Sequence, residues 1–155
     1  MHIEVDALFS LLLPGSDRSR EDRMLAYDAA HLLARMLLAR GRSVSLECTY
    51  ARVEQRASLL AALADAAGAP LWVVELHVSP DEAVQRFRGR REPTDLDEES
   101  LRERVAAFPY SGLGLRLSSS GRTPVVLAGD VAKWLRGRPG SVDKDAWARA
   151  GRDWD

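Results

Sequence analysis

Lysine and cysteine are both scarce in this 155-residue sequence, and neither sign of charge prevails. Lys133 and Lys144 are the only lysines, so arginine supplies nearly all of the positive charge, and either a GC-rich genome or anion binding explains that bias. Cys48 is the single cysteine, which excludes an internal disulfide framework and is typical of a reducing cytosol. The net charge of −1 disfavours binding to nucleic acid through basic charge.

Long apolar runs are missing as well. The longest run near the start, at 7–13, is too short for a membrane span or a signal peptide, so we predict a cytoplasmic protein with no membrane partner. The apolar share of 46% and the charged share of 29% indicate a folded chain. At this length we expect one domain, which buries roughly two thirds of the surface that the unfolded chain exposes.

Predicted strands alternate with predicted helices four times, which favours an α/β fold with a mostly parallel sheet. The strand at 71–78 is nearly continuous in apolar residues and is of the kind buried on both faces. The helix at 21–40 has one apolar stripe that we expect to be buried, formed by Leu25, Ala29, Leu32, Leu33, Met36 and Leu37. Further strands are predicted at 2–6, 43–50 and 113–118, and further helices at 7–13, 53–67, 98–108 and 124–136, with another that starts at Ser79 and Pro80.

Polar residues follow each predicted strand. In open α/β sheets, ligands bind beyond the carboxyl ends of the strands, so these residues are the first candidates for a site. They are Asp6, Glu47 with Thr49, His77 with Ser79, and Ser118 to Ser120.

The order of these features resembles a known family. An Asp follows an early strand, a helix ends in Gly, a strand ends in an acid and Thr, an Arg lies one turn into the next helix, and Ser-Pro-x-Glu precedes Arg-x-x-x-Arg. Over residues 3–135 this order is similar to the P-loop kinase-like ATP-binding proteins related to polynucleotide kinase, zeta toxins, chloramphenicol phosphotransferase and gluconate or shikimate kinases. The matching positions are Asp6, Gly41, Glu47, Thr49, Arg56, Ser79 to Glu82, Arg86 and Arg90.

The resemblance implies roles for the acidic end of the site. Asp6 would be the base that accepts the substrate hydroxyl proton, or an anchor for the acceptor. Its structural alternative, compatible with that role, is the N-cap of a helix that begins at Ala7. Glu47 would hold Mg²⁺ directly or through water, or else is a buried or capping carboxylate without a metal. Thr49 would contact the substrate at the same place, or is a turn residue.

The resemblance also implies a lid at about 86–99. Arg86 and Arg90 would act in catalysis and, with Arg91 and Ser119, would contact the nucleotide, because guanidinium groups clamp phosphate oxygens. The alternative is a solvated basic stretch that pairs with nearby acids. That stretch also includes Arg88, and the acids are Glu92, Asp95, Asp97 and Glu98.

Two further arginines have two interpretations each. Arg56 is a substrate or phosphate contact or a surface helix residue, and Arg23 lies in a segment that is either an acceptor cap or a charged loop. His77 is predicted to be a satisfied core residue, and Cys48 a buried, unreactive thiol. The histidines and Cys48 lack metal-ligand spacing, so we expect no zinc site.

The family's defining Gly-x-x-x-x-Gly-Lys-Ser/Thr segment, which holds the β and γ phosphates, is absent. No glycine precedes Gly15, and no lysine precedes Lys133. In relatives the strand before that loop lies in the middle of the sheet. Three explanations compete: this is an amino-terminally truncated kinase, a degenerate member with a binding or regulatory role, or a chain completed by a partner or a second copy.

The resulting hypothesis is a three-layer P-loop-kinase-like α/β domain at 1–137, without its first strand and phosphate loop, followed by a polar tail at 138–155. The tail either forms a short docking helix or is loose. The implied cofactors are ATP and Mg²⁺, and the implied partner is a small hydroxyl acceptor. The implied activity is that of an ATP-dependent phosphotransferase, inactive or impaired as given; the alternative is a non-catalytic module that uses a nucleotide-binding fold.

Overall fold

A computed structural model describes residues 1–66, 68–89 and 96–152. The chain divides into two compact units, which we call unit 1 (Met1–Pro70 with the segment that starts at Lys144) and unit 2 (Leu71–Asp143). Both contain helices and short parallel strands, which confirms the α/β class. None of the described helices is both long and apolar enough to cross a membrane.

The elements follow one another as β1 (His2–Glu4), α1 (Val5–Leu12), α2 (Arg20–Leu38), β2 (Ser45–Glu47), α3 (Val53–Ala62), a short 3-10 turn (Ala64–Ala66), β3 (Val74–His77), α4 (Pro80–Arg88), α5 (Glu98–Ala106), β4 (Leu115–Ser118), α6 (Pro124–Arg136) and α7 (Lys144–Arg149).

Unit 1 is built around the parallel pair β1 and β2. The register sets Ile3 opposite Leu46 and Glu4 opposite Glu47. Because successive side chains of a strand point to opposite faces, Ile3 and Leu46 pack against the core while both glutamates are exposed. The buried core cluster of this unit is Val5, Phe9, Ala26, Tyr27 and Ala30.

Helix α2 begins and ends where the sequence predicts, within a residue or two. Ser19 caps it, since its Oγ accepts a hydrogen bond from the Asp22 N–H at 3.2 Å. Gly41 follows with φ of +70°, a left-handed conformation that glycine adopts without strain.

The predicted buried stripe of α2 is wrong. Leu25, Leu32, Leu33 and Met36 are exposed, whereas the buried residues are Ala26, Tyr27, Ala30, His31 and Ala34. Alanines at a spacing of four form a smooth face that lets neighbouring helices approach closely, and the two polar rings on that face are hydrogen-bonded. Tertiary packing therefore selected the small residues for the interior.

Unit 2 is built around the parallel pair β3 and β4. Its register sets Val74 opposite Leu115 and His77 opposite Ser118. Helix α4 begins as predicted, with Ser79 as its cap and Pro80 in the first turn. Asp97 and Thr123 cap α5 and α6 in the same way.

Strand β3 is not buried on both faces, contrary to the prediction for 71–78. Val74 and Leu76 are 37% and 53% exposed, and Glu75 between them is buried. A parallel strand loses both solvent faces only when helices cover each side of its sheet. Among the described residues β3 has one strand neighbour, β4.

Candidate functional site

The carboxyl end of the β1 and β2 pair brings three predicted site residues into one region of unit 1. Glu47 ends β2 and Asp6 lies two residues beyond the end of β1, and both carboxylates are exposed. Thr49 is next in sequence, and its Oγ1 is 3.0 Å from the Tyr27 hydroxyl. Strand ends in open α/β folds are where ligands bind, so this grouping is a candidate acceptor site.

Asp6 is not the N-cap of α1. The helix begins at Val5, so Glu4 holds the cap position and Asp6 lies in the first turn. The strand ends two residues earlier than the sequence predicts, which moves the helix start with it. The exposed carboxylate of Asp6 is therefore not committed to capping.

Cys48 is half-buried and remains protonated at neutral pH. Burial raises the pKa of its thiol to about 12, and the negative charges of Asp6 and Glu47 add to that increase. This agrees with the prediction of an unreactive thiol.

A chain of hydrogen bonds lies beneath this strand end. Tyr50 Oη is 2.9 Å from His31 Nε2, and His31 Nδ1 is 2.8 Å from Ser58 Oγ. Ser58 in turn donates to Asp28 Oδ1 at 2.5 Å. His31, which is 1% exposed, therefore links the loop after β2 to helix α3.

The direction of these hydrogen bonds follows from the Asp28 carboxylate, which only accepts. Ser58 gives its proton to Asp28, so it accepts from His31 Nδ1–H. His31 Nε2 then carries the lone pair and accepts from the Tyr50 hydroxyl. The neutral histidine tautomer is thus defined by an exposed acid two hydrogen bonds away.

The electrostatics support the neutral ring. Burial lowers the pKa of His31 from 6.5 to about 4, although the nearby Asp28 opposes the change. Burial also raises the pKa of Tyr27 to about 12 and raises the pKa of Tyr50. The rings pack on one another, with His31 stacked on Tyr50 at 5.8 Å between centroids.

Arg56 is buried in unit 1, with 2% of its surface exposed. Its Nε donates to the Tyr50 carbonyl at 2.7 Å, and its Nη1 donates to the Trp147 carbonyl at 2.8 Å. The guanidinium also lies 5.2 Å from the centre of the Trp147 ring. The alternative prediction, a surface helix residue, is therefore wrong, because packing against α7 covers this side chain. Helix α7 is the short docking helix considered for the tail.

Arg23, the other arginine predicted to contact the substrate in unit 1, lies in the first turns of α2. Its Nε donates to the Arg18 carbonyl at 2.7 Å. Arg18 has a positive φ of 62° and lies over the Phe9 ring at 5.2 Å. Arg23 therefore contributes to the conformation of the segment before α2.

In unit 2 the structure brings Arg86 and Ser119 into direct contact. Arg86 Nη2 donates to the Ser119 carbonyl at 2.7 Å and to Glu82 Oε1 at 2.5 Å, and Nη1 lies 3.2 Å from Ser119 Oγ. Ser119 Oγ donates to the His77 carbonyl at 3.0 Å. These predicted nucleotide contacts therefore lie together at the carboxyl ends of β3 and β4.

His77 is not a fully satisfied core residue. Its Nε2 is buried and has no hydrogen-bond partner among the described residues, and its ring stacks on Tyr110 at 3.5 Å. Burial lowers the pKa of His77, and the charge of Arg116 adds to the effect. Glu75, on the same strand, accepts hydrogen bonds from Ser111 and Gly112.

The lid prediction lies partly beyond the structure. Arg90 and Arg91 are outside the described residues. Arg88 makes two hydrogen bonds of 2.7 Å to Glu98, which is the pairing proposed as the alternative to a phosphate contact. Both described arginines of 86–99 therefore pair with an acid, Arg88 with Glu98 and Arg86 with Glu82, and Arg86 also contacts Ser119.

The described residues do not make a complete site for ATP and Mg²⁺. A triphosphate needs several convergent N–H donors, such as those of a glycine-rich loop at a helix N-terminus. Arg86 is already engaged by Glu82 and Ser119, and the Gly121 N–H is directed at Glu82 at 3.4 Å. Glu47 offers carboxylate oxygens of the kind that Mg²⁺ accepts. We therefore derive no phosphoryl-transfer step from these residues.

The His31 hydrogen-bond chain is the feature that the sequence interpretation missed. Tyr27 and His31 are four residues apart and interrupt a face of alanines, which was the available signal. A polar ring among small apolar residues needs hydrogen-bond partners once the face is buried. The partners, Tyr50 and Ser58, come from distant segments. No local sequence feature identifies either of them as a hydrogen-bond partner of His31.

Comparison with known proteins places the chain in a family. A family model described as an AAA domain matches residues 2–109, which is well over half of the chain. Searches of curated proteins and of solved structures gave no significant match. The matched range includes Asp6, Glu47, Arg56 and Arg86. The chain therefore belongs to this AAA domain family, whose members are P-loop NTPase-like kinases.

Proposed function

We propose that this chain supplies the acceptor side and the lid of an ATP- and Mg²⁺-dependent phosphotransferase of the small-molecule or nucleoside and nucleotide kinase lineage. Family membership supports nucleotide binding of the P-loop kinase type. The observation that carries the proposal is the strand register: Glu47 ends β2 opposite Glu4, the last residue of β1, and Asp6 follows two residues later, all within the matched range.

The proposed roles follow the chemistry of phosphoryl transfer, which depends on positioning and on charge stabilisation. Asp6 would accept the proton of the acceptor hydroxyl, and Glu47 would be the carboxylate that holds Mg²⁺. Arg86, which contacts Glu82 and Ser119, would be the guanidinium that stabilises phosphate charge in the bound nucleotide. Arg90, Arg91 and Ser119 would complete the nucleotide contacts, and Thr49 and Arg23 would contact the acceptor. Arg56, which is buried beneath α7, would act indirectly by holding the Tyr50 carbonyl next to Thr49.

The proposal includes a more specific fold than the α/β class. This fold is a three-layer α/β domain whose central strand and phosphate loop are not in this sequence. Without the loop's amides and lysine, the chain as given transfers no phosphoryl group at a useful rate. Binding of nucleotide is therefore the property to test.

Titration calorimetry with ATP and Mg²⁺ tests the proposal. We expect a Kd below about 0.1 mM, weakened at least tenfold by Arg86→Ala and unchanged by the matched control Arg104→Ala. Arg104 lies on α5 and has no proposed role. Absence of binding up to about 1 mM nucleotide, or equal binding by both variants, would overturn the nucleotide site.

A second candidate is a non-catalytic module that is completed by a partner chain or a second copy. Each parallel pair has an unpaired edge within the described ranges, and Leu76 is exposed beside one of them. Such edges accept further strands. Sedimentation should then show concentration-dependent association that Leu76→Lys reduces. Gln85→Lys, which adds the same charge at an exposed polar position of α4, should leave the association unchanged. A monomer at all concentrations would count against the second copy.

A further inference from the structure

We propose that His2, Glu4 and Glu47 bind a first-row transition-metal dication such as Zn²⁺ on the exposed face of the β1 and β2 pair. This goes beyond the proposed function. Mg²⁺ in a kinase site takes oxygen ligands, whereas an imidazole ligand favours Zn²⁺, Co²⁺ or Ni²⁺. The proposal also revises the expectation of no zinc site. That expectation was based only on the spacing of the histidines and Cys48, without the carboxylates.

The strand register assembles the three side chains. His2 and Glu4 are two residues apart on β1 and so share a face, and Glu47 is the Cα partner of Glu4 on β2. Neighbouring strands are about 4.8 Å apart, a distance that long side chains span easily. The backbone pairing of β1 with β2 therefore brings the three proposed ligands, His2, Glu4 and Glu47, together.

The ligand atoms already have the spacing of a metal site. His2 Nε2 is 3.4 Å from Glu4 Oε1 and 3.3 Å from Glu47 Oε2, and one ligand atom of each residue lies within 4.8 Å of the others. A tetrahedral Zn²⁺ with bonds of about 2.0–2.1 Å separates its ligand atoms by roughly 3.3–3.4 Å. Two of the three separations therefore need no rearrangement.

The imidazole is oriented by a partner outside the site. His2 Nδ1 is 3.0 Å from Ser45 Oγ, and Ser45 Oγ is itself a donor to the Met1 carbonyl in a long hydrogen bond of 3.4 Å. Ser45 therefore accepts from Nδ1–H, which is the way that metal-binding histidines are usually held. His2 Nε2 is then left with a lone pair that faces two carboxylates, an arrangement that a shared cation satisfies.

The cluster is accessible to ions from solvent. The side chains of His2, Glu4 and Glu47 are 51%, 56% and 71% exposed. Three protein ligands leave the fourth tetrahedral position to water. Such an open site should bind the metal reversibly.

Calorimetry with Zn²⁺ alone, in buffer without nucleotide or Mg²⁺, tests the site, and Co²⁺ absorption reports its geometry. We expect one Zn²⁺ per chain with a micromolar Kd, a tetrahedral Co²⁺ spectrum, and no competition by millimolar Mg²⁺. His2→Ala and Glu47→Gln should each weaken binding at least tenfold. Glu103→Gln, an exposed acid of α5, and Cys48→Ser should leave it unchanged.

Unchanged Zn²⁺ affinity in Glu47→Gln would overturn the proposal, because the ion would then be held without the carboxylate from β2. Absence of Zn²⁺ binding to the unaltered chain would overturn it too and would identify the contacts as an imidazolium paired with carboxylates. Neither outcome bears on nucleotide binding, which is tested with Arg86→Ala. Far-UV circular dichroism checks that each variant is folded.

Discussion

At the scale of single residues, His31 has the most demanding environment in the described chain. It is the largest side chain that is almost completely buried, and both ring nitrogens are within hydrogen-bond distance of hydroxyl groups. Buried polar groups are costly when a partner is removed, because the remaining group loses water without gaining a replacement. His31 therefore links packing, hydrogen bonding and charge in unit 1.

Replacing His31 with alanine should destabilise unit 1 by about 2–4 kcal/mol. The change leaves a cavity and removes the hydrogen-bond partner of both the Tyr50 hydroxyl and Ser58. Urea denaturation followed by circular dichroism measures the loss, with His2→Ala as the control for an exposed histidine in metal-free buffer. An effect of His31→Ala no larger than that of the control would contradict the hydrogen-bond chain.

Stability should fall on acidification between pH 6.5 and about 4. The pKa of His31 is lowered from 6.5 to about 4, so the unfolded chain binds the proton that the folded chain rejects. The contribution of neutral His31 to the free energy of unfolding is fully present above pH 6.5 and is lost as the pH decreases towards 4. At about 1.36 kcal/mol per pH unit, the loss is roughly 3 kcal/mol.

Denaturation curves of the wild type and of His31→Gln at several pH values isolate this effect. Carboxyl groups with lowered pKa values, such as Glu54 beside Arg20, also lose their stabilising effect in acid, but equally in both proteins. The difference between the two curves should therefore decrease as the pH is lowered from 6.5 towards 4. Parallel curves would show that His31 is not held neutral.

At the scale of elements, the short helix α7 packs against the rest of unit 1 chiefly through Trp147. Trp147 is 3% exposed, packs edge-on against Tyr50 at 5.2 Å, and covers the Arg56 guanidinium. A six-residue helix is too short to be stable alone, so tertiary contacts must supply its stability. The bridge between Arg52 and Arg152 adds a backbone contact just beyond it.

Trp147→Ala should destabilise unit 1 by about 3–5 kcal/mol and release α7 to proteolysis. Trp72→Ala is the matched control, because Trp72 is exposed in unit 2. We expect this substitution to lower the free energy of unfolding by less than about 1.5 kcal/mol. Chemical denaturation gives the energies, and limited trypsin digestion at Arg149 and Arg152 reports on the helix. Equal protection of wild type and Trp147→Ala would show that α7 is held in another way.

At the scale of the whole molecule, a near-neutral charge is combined with exposed apolar side chains. The net charge is −1 and the isoelectric point is about 6.3. Large apolar residues are exposed in both units, including Leu11, Leu25, Leu76 and Val125. Little charge repulsion is available near neutral pH to oppose contact between such surfaces.

Solubility should therefore pass through a minimum near pH 6.3 and recover by about pH 8.5, where the molecule is more negative. Static light scattering across this range gives the measurement. Added salt at pH 6.3 should not restore solubility if apolar contacts dominate. A flat profile across the isoelectric point would show that the exposed apolar residues do not promote association.

The sequence by itself determined which helices and strands form and where several helices begin and end, whereas the strands are shorter than predicted. Helix α6 is predicted at 124–136 and found at Pro124–Arg136, and the caps at Ser79 and Gly41 are observed. Such features are local, because a cap or an apolar repeat depends on residues within a few positions of one another. The P-loop kinase relationship was also predictable from sequence, because it was inferred from the order of Asp6, Glu47, Arg56 and Arg86 along the chain.

Only the tertiary structure decided which side chains meet. Glu4 and Glu47 face each other through strand register, His31 reaches Tyr50 and Ser58, and Arg56 lies against Trp147 across 91 positions of sequence. These contacts depend on packing between distant segments, where small alanines fit the interior better than the leucines beside them. No periodicity in the sequence encodes that choice, because burial is settled by the surface against which a helix or strand packs.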